Sequence, residues 1–406
     1  MVVGLRCVVC GEEIEISRPM SWTCPRATEA DPFHVLEFVD DGAPPTIEID
    51  HGESNPFVRY RERMGWWAFA RANGMSDDET VVLARSVAGQ FSVTPLQPHD
   101  GLSDVIGRSV WAKNETVGVS GSHKSRHLVG IMLHLIAAEQ LGMLTERPPL
   151  AISSCGNAAL AAATVASSQE WPLRVFVPTW MDDSFGSGLD ALGAEVNRCE
   201  RIAGAAGDPA MSAFREAVSQ GAIPFSVQGP ANAWCLDGGR TIGWELHDQL
   251  NDVEVAPQAV FVQVGGGALA TSLALGLGDD VPLVVVQAEG CAPLHRALQA
   301  ASRVDAPELH WAELMQPWES PHSLADGILD DETYDWISIG RAIERSSGRS
   351  VVATESEIVH AHELVNTSGP PTSATGTAGV AGALGESAAG TLDDRPIVVL
   401  LSGAAR

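Results

Sequence analysis

The stretch "AVFVQVGGGALATSLALGL", residues 259–277, decides the fold class of this chain. A short apolar run leads into three consecutive glycines, Gly265, Gly266 and Gly267, and a longer apolar segment follows them. Continuous apolar runs of this length are typical of strands buried on both faces of a parallel sheet. The order of strand, glycine turn and helix predicts one strand–helix unit of an α/β fold.

The same alternation continues on both sides of this stretch. Four further buried strands are predicted, at "LAIS" (150–153), "LRVFVP" (173–178), "PLVVVQA" (282–288) and "PIVVLL" (396–401). Before the first of them, "KSRHLVGIMLHLIAAEQLG" (124–142) carries apolar residues at helical spacing. We therefore predict mainly parallel sheet with helices on both faces. Lys124 falls in the first turn of this helix, directly after the capping-type residues Ser120 and Ser122.

Composition excludes several classes of protein. The 406 residues include 52 acidic and 25 basic side chains, and the resulting net charge of -27 argues against nucleic acid or an anionic membrane as a partner. The apolar runs are far shorter than the ~20 residues that span a bilayer, and no signal peptide is visible. We expect a soluble cytoplasmic protein. Four of its seven cysteines, Cys155, Cys199, Cys235 and Cys291, are scattered along the chain, and no disulfide framework is implied.

Residues 1–40 carry three of the cysteines and are predicted to form a small appended module. Cys7 and Cys10 have the spacing of a zinc knuckle. Cys24 is not followed by a second cysteine, so two alternatives stay open: His34 completes a Cys₃His zinc site, or the module is a metal-free remnant.

Lys124 is the first candidate for chemistry, because ligands of open α/β sheets bind where strands end and helices begin. A cation is disfavoured at a helix N-terminus. Lys124 is therefore either an exposed lysine in a basic cluster with Arg126 and His127, or a residue that forms an imine and must lose its proton.

The second candidate is the loop after the strand at 150–153. Its members Ser153, Ser154, Cys155 and Gly156 could bind a carboxylate at the start of an alanine-rich helix. The alternative is an ordinary turn capped by Asn157. Cys155 is interpreted as a small buried filler or as a thiol near the reacting carbon.

Two other strand ends complete the candidate set. The three glycines would let backbone N–H groups close on a phosphate, or they form a tight turn without a ligand. Ser402, at the end of the last strand, offers a hydroxyl to a ring nitrogen, or it is only a strand end.

Taken in order, these segments resemble the fold-type II pyridoxal-phosphate enzymes, the superfamily of threonine synthase, threonine dehydratase, cysteine synthase and the tryptophan synthase β chain. The resemblance covers roughly residues 90–406 and is most like threonine synthase. It rests on these motifs: "TPL" (94–96), "VWAKNET" (110–116), "SGSHKSRH" around Lys124, "SSCGNAA", "VGGGALA", "SLADGI" (323–328), "TESEIVHA" (354–361), "SATGTAGVAGAL" and "LLSGAAR".

The resemblance implies an architecture of two open, mainly parallel twisted sheets behind the cysteine module. It divides the chain into a zinc-ribbon-like module (1–40), a large cofactor-binding domain (41–110 and 240–406) and a smaller domain (111–239) that carries Lys124. It also implies a homodimer.

The resemblance further implies roles for single residues around pyridoxal 5'-phosphate. Lys124 would hold the cofactor as an internal aldimine, Asn157 would face its ring hydroxyl, and Ser402 would meet its pyridine nitrogen. Its phosphate would be wrapped by Gly265, Gly266, Gly267 and Ala268. The α-carboxylate of a small amino-acid substrate would be bound by Ser153, Ser154, Cys155 and Gly156.

The predicted function is therefore a lyase or synthase that performs β- or γ-elimination or replacement on a small amino acid. A hydroxyl at the ring nitrogen makes a weaker electron sink than a carboxylate, which suits such reactions better than transamination. Threonine synthase proper is the alternative, but its phosphorylated substrate needs cations, and the chain offers few besides Arg126 and the histidines. A non-catalytic binding or regulatory subunit is a further alternative, disfavoured by the intact Lys124 and Asn157.

Overall fold

The computed structural model describes residues 1–42, 49–201 and 208–405. Its strands, in chain order, are β1 (Val2–Cys7), β2 (Glu13–Glu15), β3 (Leu36–Asp40), β4 (Leu96–Pro98), β5 (Val110–Asn114), β6 (Leu150–Ser153), β7 (Leu173–Pro178), β8 (Glu195–Cys199), β9 (Ile223–Pro224), β10 (Val260–Gln263), β11 (Leu283–Ala288), β12 (Arg349–Ala353) and β13 (Ile397–Leu401).

The α-helices alternate with these strands through most of the chain. They are α1 (Pro56–Arg59), α2 (Gly65–Ala72), α3 (Asp77–Ala88), α4 (Asp100–Ile106), α5 (Lys124–Gln140), α6 (Asn157–Ser168), α7 (Asp183–Ala191), α8 (Pro209–Ser219), α9 (Trp234–Asp252), α10 (Ala268–Leu277), α11 (Pro293–Ala301), α12 (Trp311–Leu314), α13 (Trp336–Ser346), α14 (Glu355–Ser368) and α15 (Ala374–Ala388). Among the residues that the structure describes, no helix is both long and apolar enough to span a membrane.

Two open sheets form the body of the protein. The larger has the strand order β12-β11-β10-β13-β5-β4, parallel except for the antiparallel edge pair β4 and β5. The smaller has the order β8-β7-β6-β9 and is parallel throughout. The five strands predicted from sequence are confirmed as β6, β7, β10, β11 and β13, with ends displaced by no more than one residue.

Helices cover both faces of the larger sheet, as predicted. On one face, Val262 of β10 and Val285 of β11 pack with Leu273 of α10. On the other face, Phe261 and Val284 of the same strands pack with Val380 of α15. Alternate side chains of one strand thus enter two separate cores, which is why the strand sequences are continuously apolar.

Helix α5 lies in the interior of the protein and is buried along almost its whole length. It packs closely on α9, because Gly130 faces Gly238: a Cβ added to Gly130 would lie 2.5 Å from the backbone nitrogen of Gly238. α5 begins at Lys124, as predicted. The cap prediction is wrong, because the N-cap residue is His123, and neither Ser120 nor Ser122 caps the helix.

The N-terminal module is a three-stranded antiparallel sheet with the order β2-β1-β3. Val8, between the two knuckle cysteines, and Val35 are buried in the same core as α9, α10 and α13. The division of the rest of the chain into two domains stays a prediction. At its boundary, β5 spans residue 111 and belongs to the larger sheet.

Candidate active site

The loop that delivers Lys124 is fastened to the end of β13. Ser122 is extended and pairs with Gly403, and the backbone N–H of His123 donates to the carbonyl of Ser402 at 3.1 Å. Two segments that lie far apart in sequence, the lysine loop and the C-terminal strand end, are therefore in direct contact.

Lys124 is partly buried and forms no ion pair with any residue in the described ranges. Loss of hydration lowers the pKa of its ammonium group, an effect that the nearby Asp330 and Cys235 partly offset. A lowered pKa favours the neutral amine, and only the neutral amine can act as a nucleophile or take up a proton.

The three glycines form the turn between β10 and α10. A Cβ on Gly265 would lie 2.4 Å from Oδ2 of Asp330, and one on Gly266 would lie 3.0 Å from the ring of Tyr334. Gly267 caps α10 with φ +110°, a conformation that L side chains rarely adopt. Side chains are thus excluded from this turn, which leads directly into the N-terminus of α10, where a helix dipole favours an anion.

Asn157 and Ser402 lie close to the same strand end. Asn157 is the first residue of α6 and Gly156 is its cap, so the interpretation of Asn157 as a capping side chain is wrong. Its amide nitrogen would lie 3.0 Å from a Cβ on Gly403. The Ser402 hydroxyl accepts a hydrogen bond from the side-chain amide of Gln263, which leaves its own proton free to be donated.

The loop Ser153–Gly156 lies between the carboxyl end of β6 and the N-terminus of α6. The backbone N–H of Gly156 donates to the hydroxyl of Ser154 at 3.3 Å. Cys155 is exposed, so its interpretation as a buried filler is wrong. The structure brings this loop to the sheet edge where an α-helix dipole favours an anion, while its proposed role in carboxylate binding stays a prediction.

The two histidines beside the lysine are buried. His127 Nδ1 lies 2.9 Å from the carbonyl of Cys235, and His123 Nδ1 lies 3.2 Å from His127 Nε2. The carbonyl requires a proton on His127 Nδ1, so Nε2 accepts from His123. Burial lowers the pKa of His127 to about 3 and also lowers the pKa of His123, so both rings are neutral near pH 7.

Arg126 is buried in a balanced ionic network beneath α5. Its guanidinium donates to Glu115 at 2.8 Å and to Glu245 at 2.6 Å, and Lys113 donates to Glu245 at 2.6 Å. Burial alone raises the pKa of Glu245, but Arg126 and Lys113 reverse the effect and hold it below its usual value. Lys113 and Glu115 therefore have a structural role in this network.

Two acidic residues of the loop between residues 328 and 335 escaped the sequence analysis. Asp330 faces the glycine turn and Lys124, and burial raises its pKa. Asp335 is fully buried beside Gly229, and burial raises its pKa to about 7. The only signal in the sequence was their position just after the motif "SLADGI". Their contacts are with glycines far away in the chain, and no local sequence pattern reveals such contacts.

Cys7, Cys10, Cys24 and His34 form one cluster in the N-terminal module, with their potential ligand atoms all within 4.8 Å of one another. Cys10 Sγ lies 3.6 Å from Cys24 Sγ, and Cys7 Sγ lies 3.3 Å from His34 Nδ1. Tetrahedral zinc–thiolate bonds of about 2.3 Å place sulfur atoms roughly 3.8 Å apart. The cluster is compatible with a metal site.

The second ring nitrogen of His34 lies 3.3 Å from a carboxylate oxygen of Asp31. Metal-bound histidines usually make such a contact, because it fixes the ring orientation and the tautomer. The sequence analysis did not identify Asp31.

Comparison with known proteins gives a consistent result. The sequence profile of a family described as pyridoxal-phosphate dependent enzyme matches residues 87–403. Threonine synthase of Methanosarcina acetivorans is 26% identical over 393 residues, which are 93% of this chain and 85% of that protein. A serine dehydratase-like protein of Mus musculus is 30% identical over 222 residues, 53% of this chain and 63% of that protein.

Among solved structures, the processed form of threonine deaminase isoform 2 from Solanum lycopersicum matches with a TM-score of 0.63 at 22% identity. The match covers 82% of this chain and 92% of that one. At this level of identity, the likeness concerns the fold.

Proposed function

Because this chain belongs to the pyridoxal-phosphate-dependent enzyme family, and is a lyase or synthase of that family, we propose that Lys124 is the residue that bonds to the cofactor. The chain contains only two lysines, Lys113 and Lys124. Lys113 has no exposed surface and donates to Glu245, Gln249 and the carbonyl of Thr94. Lys124 is thus the one lysine free to react.

The residues around Lys124 fit this cofactor. The glycine turn excludes any Cβ and already directs the Gly266 N–H to an anion, the carboxylate of Asp330. The Ser122 hydroxyl, next to Gly403, is buried and has no hydrogen-bond partner within the described ranges. We propose that Gly265, Gly266, Gly267 and Ala268 bind the phosphate, and that Asn157 and Ser402 bind the ring hydroxyl and ring nitrogen.

When bound, the cofactor withdraws electrons from the α-carbon of an amino acid. Lys124 removes the α-proton at its Nζ, and its lowered pKa keeps the neutral amine accessible. The Ser402 hydroxyl, which accepts from Gln263, would donate a hydrogen bond to the ring nitrogen without protonating it. This modest electron sink suits loss or exchange of a group at the β- or γ-carbon, which is the reaction we propose.

We propose that Ser153, Ser154, Cys155 and Gly156 bind the α-carboxylate of the substrate. The loop offers two hydroxyls and backbone N–H groups at the N-terminus of α6, a helix of 12 residues whose dipole favours an anion. A small amino acid would thus be held at one end by this loop, with its α-carbon toward Lys124.

The substrate we propose carries no phosphate on its side chain. Arg126 already binds Glu115 and Glu245, and its side chain is 3% exposed. His123 and His127 are neutral. Of the groups next to Lys124, the guanidinium is therefore occupied and the two imidazoles are uncharged, which favours elimination or replacement on an unphosphorylated amino acid over threonine synthase chemistry.

We propose that the cysteine module binds one structural zinc ion through Cys7, Cys10, Cys24 and His34, since three thiolates and an imidazole form a common zinc ligand set. A homodimer in the cytoplasm completes the proposal, by analogy with the resembling enzymes.

A panel of amino acids tests the proposed function. Purified protein is mixed with serine, threonine, other β-substituted amino acids and O-phosphohomoserine, and released ammonia, keto acid and phosphate are measured. Turnover of an unphosphorylated amino acid supports the proposal, and efficient phosphate release from O-phosphohomoserine would favour threonine synthase instead. Absence of both bound cofactor and turnover would favour the alternative that the protein is a non-catalytic binding or regulatory subunit.

A further inference from the structure

The loop 328–335 lies directly on the glycine turn. The Thr333 hydroxyl donates to the carbonyl of Gly265 at 2.9 Å, and the backbone N–H of Asp335 donates to the carbonyl of Gly266 at 3.2 Å. These two bonds engage the carbonyl groups of the turn. With these carbonyl groups engaged, Asp330 of the same loop faces an N–H group of the turn, that of Gly266.

Asp330 is held at this place from two directions. Its Oδ2 would lie 2.4 Å from a Cβ on Gly265 and 3.7 Å from one on Gly266. Its own carbonyl accepts a hydrogen bond from the thiol of Cys291 at 3.2 Å. The carboxylate therefore sits against the turn as a defined contact and not as a free surface side chain.

The charges that face Asp330 are few. Lys124 on α5 and the Gly266 N–H stabilise its carboxylate, Asp331 in the same loop opposes it, and Tyr334 and Cys291 are the titratable neutral neighbours. Within the described ranges, Asp330 has no ion-pair partner within 4.0 Å. Besides its own backbone N–H, its negative charge is thus stabilised by the two groups that we propose the cofactor engages, the lysine amine and the turn.

We infer that Asp330 competes with the cofactor's phosphate for the backbone donors of the glycine turn, so that binding of the phosphate requires this carboxylate to move away or take up a proton. The inference rests on the proposed phosphate role of Gly265, Gly266 and Gly267. The Asp330 carboxylate and a phosphate would repel each other if both lay against the glycine turn. One backbone N–H group also cannot donate a full hydrogen bond to both anions. Asp330 would therefore weaken cofactor binding.

The test measures affinity for pyridoxine 5'-phosphate, which has no aldehyde and so cannot bond to Lys124. Full-length protein, freed of cofactor by dialysis, is titrated at pH 7.5 with this compound and with unphosphorylated pyridoxine. Asp330→Asn should bind the phosphorylated compound roughly ten- to hundredfold more tightly than the wild type, the effect of one hydrogen bond to a charged group. Its affinity for pyridoxine should not change.

Asp331→Asn is the matched control, because Asp331 is the neighbouring acid and is exposed. It should bind like the wild type. Asp330→Ala removes the same charge without adding an amide and should repeat the gain. As pH falls, the advantage of both variants should shrink, since protonation then discharges Asp330 in the wild type.

Unchanged or weaker binding in both Asp330 variants, with wild-type melting curves, would overturn the inference. Failure of the proposed cofactor site gives a different result: the wild type would then bind neither pyridoxal phosphate nor its analogue. Binding by the wild type with no gain in the variants removes only the role of Asp330.

Discussion

Arg126 and Glu245 form a two-point contact, with Nη1 2.6 Å from Oε1 and Nη2 3.0 Å from Oε2. Arg126 lies two residues after Lys124 in the first turn of α5, and Glu245 lies in the middle of α9. The contact ties the start of the lysine helix to its neighbour. Lys124 thus lies on a helix, α5, whose first turn is held in position by this contact with α9.

Replacement of Arg126 by Met should destabilise the protein strongly. It would leave Glu115 and Glu245 buried against Lys113 alone, and breaking such a pair typically costs about 3–5 kcal/mol. Urea unfolding measures the free energy of unfolding. The matched control is Arg395→Ala, which breaks an exposed, solvent-screened pair with Asp393 and should leave the free energy of unfolding almost unchanged. Similar small losses in both variants would contradict the structural role of Arg126.

Asp335 should make stability fall as pH rises. Its pKa is raised from 3.8 to about 7 in the folded protein. The folded state therefore holds a proton that the unfolded state has lost, and this contribution is complete below about pH 4 and lost as pH approaches 7.

Asp335→Asn should consequently be most stabilising above pH 7, and its advantage should disappear near pH 4. Urea unfolding at several pH values, with Asp331→Asn as the exposed control, measures this difference. A gain in stability that does not depend on pH would show that Asp335 is charged in the folded protein throughout this range.

The sequence predicted the framework of the site well, because buried parallel strands and the turns after them leave local signals. β6, β7, β10, β11 and β13 were visible as continuous apolar runs, and each proposed site segment follows one of them or opens a helix. The start of α5 at Lys124 was visible for the same reason.

Other features depend on contacts between distant residues and leave no local pattern. The sequence placed Arg126 near the site as a possible cation for phosphate, but Glu115 and Glu245 occupy it. Asp330 follows a recognised motif, yet only the folded chain places it against Gly265. Cys155 resembled a buried filler because its neighbours are small, and the structure exposes it.

Removal of zinc should destabilise the N-terminal module and the core that it shares with α13. Val8 and Val35 flank the proposed ligands Cys7 and His34 and are buried in that core. We expect elemental analysis to find about one zinc ion per chain. The Cys24→Ser variant should lose this zinc and should melt at a lower temperature than the wild type. Cys199→Ser, outside the cluster, is the control and should retain the metal. Wild-type protein that contains no zinc and melts identically with and without chelator would contradict this prediction.

The most direct measurement is borohydride reduction of the purified protein, followed by mass spectrometry of its peptides. The chain has two lysines, so the result is unambiguous. We predict a pyridoxyl group on the peptide that contains Lys124, none on the peptide that contains Lys113, and no visible absorbance band in Lys124→Ala. A label on Lys113, or no label on protein that has been supplied with pyridoxal phosphate, would contradict the account.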